Sequence, residues 1–250
     1  MADLPSLASR LTTSEPSVGT MLKSMSPNVA EALGYTDLDF LFVDRQHGSP
    51  VTERLESIVR AADLTGLPVV TRVPRDDHSM TTSLLDLGVS GICIPQVESP
   101  ETVREASSHV RYRDGRSLGT TTRAARFGAV PREAYVEHVD TELALLPMIE
   151  TEAGVRNAGT IASMPEVTGV LVGPGDLAHS IGAGFGDDRH RRTIDGIFDA
   201  AAANDCPAGI FVSSVAELER YRPRASFLVY GKDLEMVTAH VTDVLESLDG

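Results

Sequence analysis

Short apolar runs recur along the chain, and helical patterns separate most of them. The runs do not alternate between apolar and polar positions, which is typical of strands buried on both faces in a parallel sheet. This pattern predicts eight strands, at residues 18–22, 40–44, 68–72, 91–95, 145–150, 169–173, 208–212 and 227–231.

The segments between these runs carry helix start and stop signals. Ser49-Pro50 and Ser99-Pro100 each place an N-cap residue before a proline, which is favoured at the first helical position. Gly66 and Gly88 are predicted to end helices. Eight strands that alternate with helices in 250 residues predict a single (β/α)₈ (TIM) barrel domain over residues 1–250. An open doubly wound sheet is the alternative, but no glycine-rich nucleotide-binding fingerprint follows any predicted strand.

One connection is unusually long. Roughly 50 residues separate Pro95 from Leu145, and the stretch 111–129 (RYRDGRSLGTTTRAARFGA) has little periodicity. Because such loops are uncommon in compact domains, we predict a functional or interface role for this one.

Composition narrows the class of partner. The chain has 22 Lys and Arg against 36 Asp and Glu, a formal net charge of −14. Such a surface repels phosphate backbones and anionic lipid, so neither nucleic acid nor membrane is an expected partner. Cys93 and Cys206 are interpreted as reduced core residues. The N-terminus lacks a secretory pattern, and no apolar run approaches the ~18 residues of a membrane span, so we predict a cytoplasmic protein.

Charged side chains stand at the carboxyl ends of several predicted strands, where the catalytic groups of a barrel lie. Asp44 ends the second strand and Arg72 the third, Glu150 ends the fifth, and Asp176 closely follows the sixth. Because Glu150 and Asp176 follow neighbouring strands, their carboxylates could form an oxygen-rich site for Mg²⁺ or Mn²⁺. The alternative is that Glu150 only caps the following helix, where acids are favoured.

Other polar groups have a functional and a structural interpretation each. Asp44 could orient His47 as a general base, or His47 could simply be hydrogen-bonded in a loop. Arg72 ends an apolar run, so its charge needs an anion, which a substrate or Asp44 could supply. Residues 173–176 form a turn whose N–H groups suit an anionic ligand, but such turns are also plain connections. The remaining histidines are interpreted mostly as surface residues: His78, His109, His138, His179, His190 and His240.

Several of these residues lie in motifs that resemble a known family. The motifs are DFLFVDRQHGS, RVP, LLDLGVSGICIPQVESPE, MIETEAGVRN and GVLVGPGDLAHSIG, in this order. Together, from about residue 18 to 234, they are similar to the metal-dependent (class II) pyruvate aldolases of the HpcH/HpaI type. That family includes 4-hydroxy-2-oxoheptanedioate aldolase, 2-dehydro-3-deoxyglucarate aldolase and the related macrophomate synthase.

The resemblance implies a (β/α)₈ barrel that assembles as a homohexamer, a trimer of dimers, with the last helix exchanged between partners. It implies that Glu150 and Asp176 bind Mg²⁺ or Mn²⁺, with Co²⁺ as a further option. Arg72 would hold pyruvate and stabilise its enolate. His47, oriented by Asp44, would move protons by way of a water on the metal.

The same resemblance assigns further residues. Backbone N–H groups around Gly173, Gly175 and Asp176 would receive the pyruvate carboxylate. Asp86 matches an acid that supports the site across a subunit boundary. The chain departs from the family pattern at Gln46, where Glu is usual, at Met148, where Gln is frequent, and in RYRDGRSLG, which lacks two prolines.

The implied reaction cleaves a 4-hydroxy-2-oxo acid reversibly into pyruvate and an aldehyde, with loops 113–128 and 183–192 expected to select the aldehyde. A Schiff-base (class I) aldolase is one alternative, and it would need Lys23 or Lys232, the two lysines of the chain. An acyl-CoA lyase of the citrate-lyase-like superfamily is another. The third is an inactive barrel that serves as a binding subunit.

Overall fold

A computed structural model describes residues 6–46 and 52–248 of the chain. Eight parallel strands close into a barrel, in which β1 pairs with both β2 and β8. This confirms the predicted (β/α)₈ barrel. The strands are β1 (Ser17–Leu22), β2 (Phe40–Asp44), β3 (Val69–Arg72), β4 (Gly91–Ile94), β5 (Ala144–Ile149), β6 (Val170–Val172), β7 (Ala208–Val212) and β8 (Phe227–Lys232).

Helices follow the strands around the outside of the barrel. Among the described residues they are α1 (Ala8–Leu11), α2 (Pro27–Gly34), α3 (Thr52–Thr65), α4 (His78–Leu87), α5 (Pro100–Val110), α6 (Arg132–Glu142), α7 (Glu152–Ala162), α8 (Pro174–Ser180), α9 (Asp188–Ala202), α10 (Val215–Tyr221) and α11 (Asp233–Leu248).

Most predicted boundaries hold to within a residue or two, because the signals are local. Helix α5 begins at Pro100, and Gly66 and Gly88 follow α3 and α4 with φ of +71° and +100°. A left-handed residue at a helix end favours glycine, which has no Cβ to clash. The predicted start at Ser49-Pro50 lies outside the described residues.

The barrel interior is filled by large side chains set against glycines. The rings of Phe40 and Phe227 meet edge to face, with centroids 6.5 Å apart. Gly19 and Gly209 make room for them, since a Cβ there would lie 2.4 Å from Phe40 and 2.2 Å from Phe227. The interior is therefore a packed core below the site, as in other barrels of this size.

The long connection between β4 and β5 is more ordered than predicted. Besides α5 it contains α6, which the sequence analysis missed because only Tyr135 and Val139 of that helix are buried. The remaining loop is tied down by ion pairs, from Arg116 to Asp86 at 2.8 Å and from Arg123 to Asp63 at 2.6 Å.

Two other predictions concern the cysteines and membrane-spanning segments. Cys93 is buried in the core, as predicted, whereas Cys206 is only half-buried; both are free thiols, and burial raises the pKa of Cys206 to about 11. No helix in the described ranges has the length and apolar character needed to cross a membrane.

The last helix, α11, leaves an apolar row exposed: Leu234, Val237, Val241, Val244, Leu245 and Leu248.

Candidate active site

The carboxyl ends of β2 and β3 bring Asp44 and Arg72 together. The two residues are direct partners in the parallel register of these strands. Nε of Arg72 donates to Oδ1 of Asp44 at 3.0 Å, and Nη2 donates to Oδ2 at 2.7 Å. Both residues are almost fully buried, so this two-point ion pair is well shielded from water.

Asp44 is thus an anion that balances Arg72 in the protein itself. Burial works against the charge of Arg72, but the hydrogen bonds and negative charge of Asp44 outweigh it, and the pKa of Arg72 is raised. The third guanidinium nitrogen, Nη1, lies 3.8 Å from Sδ of Met148, a weak acceptor. Arg72 therefore keeps donor capacity on the side of Met148.

Two further groups donate to Asp44. Nζ of Lys23, just after β1, lies 3.2 Å from Oδ2, and the N–H of Gln46 donates to Oδ1 at 3.0 Å. Lys23 is itself fixed, since its backbone N–H donates to Asp233 at 2.6 Å. His47 lies outside the described residues, so its orientation by Asp44 stays a prediction.

Glu150 follows β5 directly and is 1% exposed. Its Oε1 accepts a hydrogen bond from the backbone N–H of Gln96 at 2.8 Å. The backbone of Gln96 has a left-handed φ of +51°, a conformation that residues other than glycine rarely adopt. The other carboxyl oxygen of Glu150, Oε2, is buried and accepts no hydrogen bond from the described residues. Asp176 is close enough to share a hydrogen bond with Glu150 when Glu150 is protonated.

The environment of Glu150 disfavours its charge. Burial is the main cause, and the negative charge of Asp176 adds to it, while the Gln96 N–H and Arg72 act in the opposite direction. The balance raises the pKa of Glu150 to about 7. A cation bound to both carboxylates would offset the repulsion between their negative charges. It would also give the buried, unsatisfied oxygen of Glu150 a partner.

The turn after β6 brings Asp176 near Glu150. Gly173 precedes α8 without a side-chain cap, Pro174 is the first helical residue, and Asp176 lies in the first turn. Gly173 packs against Glu150, whereas nothing lies within 4 Å of a Cβ built on Gly175. The turn thus packs against Glu150 through Gly173, and the negative charge of Asp176 acts on the Glu150 carboxyl, so the two carboxylates predicted to converge lie near each other.

The residues fit a hard divalent cation held by two carboxylates. Within residues 6–46 and 52–248, no group of three or more His, Cys, Asp and Glu side chains is arranged to hold a metal ion. The pair of Glu150 and Asp176 would leave other coordination positions to water and substrate oxygens, as Mg²⁺ and Mn²⁺ accept.

Asp86 does not lie with these side chains at the carboxyl ends of the strands. It sits in the last turn of α4, and α4 runs from the carboxyl end of β3 back to the amino end of β4. There it accepts a hydrogen bond from the buried Arg116 at 2.8 Å. A role for Asp86 at the site would therefore come from another copy of the chain, as the family resemblance implies.

A cavity of about 150 Å³ adjoins the turn after β6. Met21, Pro174, Phe185, Phe211 and Lys232 are among its lining residues. Phe185 belongs to the connection between α8 and α9, one of the two segments predicted to select the aldehyde. The cavity thus lies between that segment and the ends of β1, β7 and β8.

Sequence reasoning missed three contributors to this region. Gln96 acts through its backbone N–H, and only its place after β4 could have indicated it. Lys23 was considered as a Schiff-base lysine but not as a partner of Asp44. His190, interpreted as a surface residue, is 2% exposed and contacts the turn after β6.

A closed parallel barrel with two carboxylates and a buried arginine at the carboxyl ends of its strands has these groups where barrel enzymes have their active sites. The sequence profile of the HpcH/HpaI aldolase/citrate lyase family matches residues 18–238. The chain belongs to this family, which confirms the resemblance.

Named relatives agree with this assignment. The chain is 30% identical over 239 residues to 2-dehydro-3,6-dideoxy-6-sulfogluconate aldolase of Pseudomonas putida, covering 93% of this chain and 92% of that protein. It is 33% identical to 5-keto-4-deoxy-D-glucarate aldolase of Enterobacter sp. (strain 638), covering 90% and 89%. A solved HpcH/HpaI aldolase/citrate lyase family protein from Burkholderia cenocepacia J2315 superposes with a TM-score of 0.89 at 27% identity, covering 97% and 98%. The predicted enzyme class, a carbon–carbon lyase acting on small molecules, is confirmed.

Proposed function

We propose that the protein is a class II aldolase that cleaves a 2-keto-3-deoxy sugar acid, or a related 4-hydroxy-2-oxo acid, into pyruvate and an aldehyde. The observation that carries the proposal is the pair of Glu150 and Asp176 beside the Arg72–Asp44 ion pair. The two carboxylates suit a cation, and Arg72 suits the negative charge that develops when the carbon–carbon bond breaks.

Glu150 and Asp176 would hold Mg²⁺ or Mn²⁺, or alternatively Co²⁺. When bound, the cation would polarise the 2-oxo group of the substrate and offset negative charge on its oxygens. The unsatisfied Oε2 of Glu150 supports this role, because a buried carboxylate oxygen without a donor is costly unless a cation reaches it.

Arg72 would bind the 2-oxo acid and stabilise the enolate of pyruvate. Asp44 holds its Nε and Nη2, which fixes the plane of the guanidinium. Nη1 has only a thioether beside it, so a substrate oxygen would be a far better acceptor. Backbone N–H groups around Gly173, Gly175 and Asp176 would receive the substrate carboxylate.

His47 would remove and return protons, with Asp44 as its orienting partner. Asp86 would support the site of another subunit. We further propose a cytoplasmic homohexamer, built as a trimer of dimers, in which α11 is exchanged. The exposed apolar row on α11 supports this assembly, since such a row is normally covered in a stable protein.

The substrate class follows from the relatives. One acts on 5-keto-4-deoxy-D-glucarate and another on 2-dehydro-3,6-dideoxy-6-sulfogluconate, according to their names. We therefore expect an oxo acid related to these two compounds. The cavity that Phe185 lines next to Pro174 would receive the aldehyde half.

The test is pyruvate release from a panel of 4-hydroxy-2-oxo acids, with and without EDTA. We expect turnover that EDTA abolishes and that Mg²⁺ or Mn²⁺ restores. Full turnover in EDTA would overturn the metal-dependent mechanism. Metal binding without turnover of any panel member would indicate the inactive barrel, and cleavage of acyl-CoA substrates alone would indicate the acyl-CoA lyase.

A further inference from the structure

His190 is a buried histidine whose two ring nitrogens are both engaged. Nδ1 accepts a hydrogen bond from the backbone N–H of Gly186 at 2.9 Å. Nε2 lies 2.8 Å from the carbonyl oxygen of Pro174, which can only accept. These partners fix the neutral tautomer with its proton on Nε2.

The His190 ring links two segments that are separate in the sequence. Pro174 is the first residue of α8 and stands two positions before Asp176, whereas His190 lies in the first turn of α9. The connection between these helices folds around His190. The Asp187 side chain caps α9 by accepting from the His190 N–H at 2.8 Å, and it also accepts from the Gly184 N–H at 2.9 Å.

The turn that His190 contacts has little side-chain support of its own. Its N-cap is Gly173, which has no side chain to bond the first N–H groups of α8. The α8 helix is only seven residues long, so its own hydrogen bonds hold the first turn weakly. A side-chain hydrogen bond from outside the helix, such as that of His190 to Pro174, therefore helps to fix the position of Asp176.

We infer that His190 is a positioning residue that holds the turn of Asp176 in place through Pro174 and fastens to it the connection that lines the aldehyde cavity. This inference rests on the proposed function, because it gives Asp176 the role of a metal ligand. Among the described residues, the His190 ring hydrogen-bonds backbone groups of Pro174 and Gly186 and neither proposed metal ligand, so it is not a catalytic residue. Groups that hydrogen-bond a metal ligand directly typically change metal affinity about 10–100-fold when removed, and because His190 acts through Pro174 we expect the lower end of this range.

Two substitutions separate the two hydrogen bonds. In His190→Gln, the terminal amide can still donate to the Pro174 carbonyl but cannot accept from Gly186 at the Nδ1 position. In His190→Asn, the shorter amide can accept from Gly186 but cannot reach Pro174. His179→Asn is the matched control, because His179 lies exposed on α8 itself.

The measurement is Mn²⁺ affinity by calorimetry on the metal-free full-length protein, together with the rate of tryptic cleavage at Arg189, Arg191 and Arg192. We expect His190→Asn to weaken Mn²⁺ binding roughly tenfold or more, and His190→Gln and His179→Asn to stay within about threefold of wild type. We expect faster cleavage in His190→Gln, which loses the bond to Gly186.

Equal Mn²⁺ affinity in wild type and a folded His190→Asn variant would overturn the inference while leaving the proposed function intact. If His190→Asn fails to fold, loss of Mn²⁺ affinity in a folded His190→Gln variant would overturn it equally, because that variant keeps the bond to Pro174. A wild-type protein that binds no Mn²⁺ would overturn both the inference and the proposed function.

Discussion

Gly173 lies directly against Glu150. A Cβ built on Gly173 would stand 2.5 Å from Oε2 of Glu150, 2.9 Å from its Cβ and 3.2 Å from Sδ of Met148. The backbone of Gly173 has a φ of −96°, which any residue can adopt. Glycine is therefore required at this position by the space that Glu150 occupies and not by backbone conformation.

The first prediction follows from this contact. Gly173→Ala should displace the Glu150 carboxylate and weaken Mn²⁺ binding roughly tenfold or more, because metal affinity depends on how the ligands are oriented. Gly175→Ala is the matched control, since a Cβ there meets nothing within 4 Å. Calorimetry should show near-normal Mn²⁺ affinity in Gly175→Ala. Similar losses in both variants would contradict the steric explanation.

The second prediction concerns the buried charge of Glu150. Its pKa is raised from 4.5 to about 7, so the folded metal-free protein binds an extra proton between these values. Stability should therefore fall as the pH rises through this window, by about 1–3 kcal/mol. Glu150→Gln removes the charge, and we expect this variant to unfold at higher urea concentration than wild type at pH 8 in EDTA.

The same comparison at pH 4.5 is the control, because most of the wild-type carboxyl is then neutral and the difference should shrink. Added Mn²⁺ should stabilise wild type at pH 8 and leave Glu150→Gln unaffected. A variant no more stable than wild type at pH 8 would show that burial does not penalise the Glu150 charge.

The third prediction separates the metal mechanism from a Schiff base. Lys23 contacts the site residue Asp44, at 3.2 Å. An arginine at this position keeps a cation beside Asp44 but cannot form an imine. We expect Lys23→Arg to retain aldolase activity within about tenfold. Borohydride reduction in the presence of pyruvate should leave the mass of the protein unchanged, and a mass increase would favour the class I mechanism.

The barrel could be predicted because its signals are local. Most strand residues are buried, on both faces of the sheet, so the apolar runs stand out in the sequence. Gly66 and Gly88 mark helix ends by their left-handed backbone. Helix α6 could not be predicted, because burial of Tyr135 and Val139 alone leaves a faint apolar stripe.

The site was predictable where topology alone brings residues together. Strand ends of a parallel barrel meet at one rim, so Asp44, Arg72 and Glu150 could be grouped from their positions in the sequence. Contacts between loops carry no such periodicity. The Gln96 N–H on Glu150 and the His190 ring on Pro174 depend on how two connections fold onto the rim, which no spacing indicates.

The fourth prediction concerns assembly. Leu245 is 57% exposed within one chain and belongs to the apolar row of α11. Leu245→Glu should place a charge in the proposed subunit interface and shift the assembly to smaller species in sedimentation velocity at micromolar concentration. Thr242→Glu adds the same charge beside the row and should not. A wild-type protein that sediments as a stable monomer would contradict the proposed exchange of α11.

The last prediction concerns Arg72, whose guanidinium is held by Asp44 through two nitrogens. Arg72→Lys keeps one charge but can no longer bond Asp44 at two points and present a third nitrogen to the substrate. We expect kcat for aldol cleavage to fall on the order of 10²-fold or more, as when one preorganised charge-stabilising donor is removed. The protein should remain folded, because Lys still pairs with Asp44.

Oxaloacetate decarboxylation tests which half of the substrate Arg72 binds. This reaction passes through the same pyruvate enolate but needs no aldehyde pocket, so Arg72→Lys should slow it in parallel with aldol cleavage. Equal losses would place Arg72 at the pyruvate half, where the guanidinium offsets enolate charge. A severe loss of aldol cleavage with unchanged decarboxylation would instead assign Arg72 to the aldehyde half and reverse the proposed orientation of the substrate.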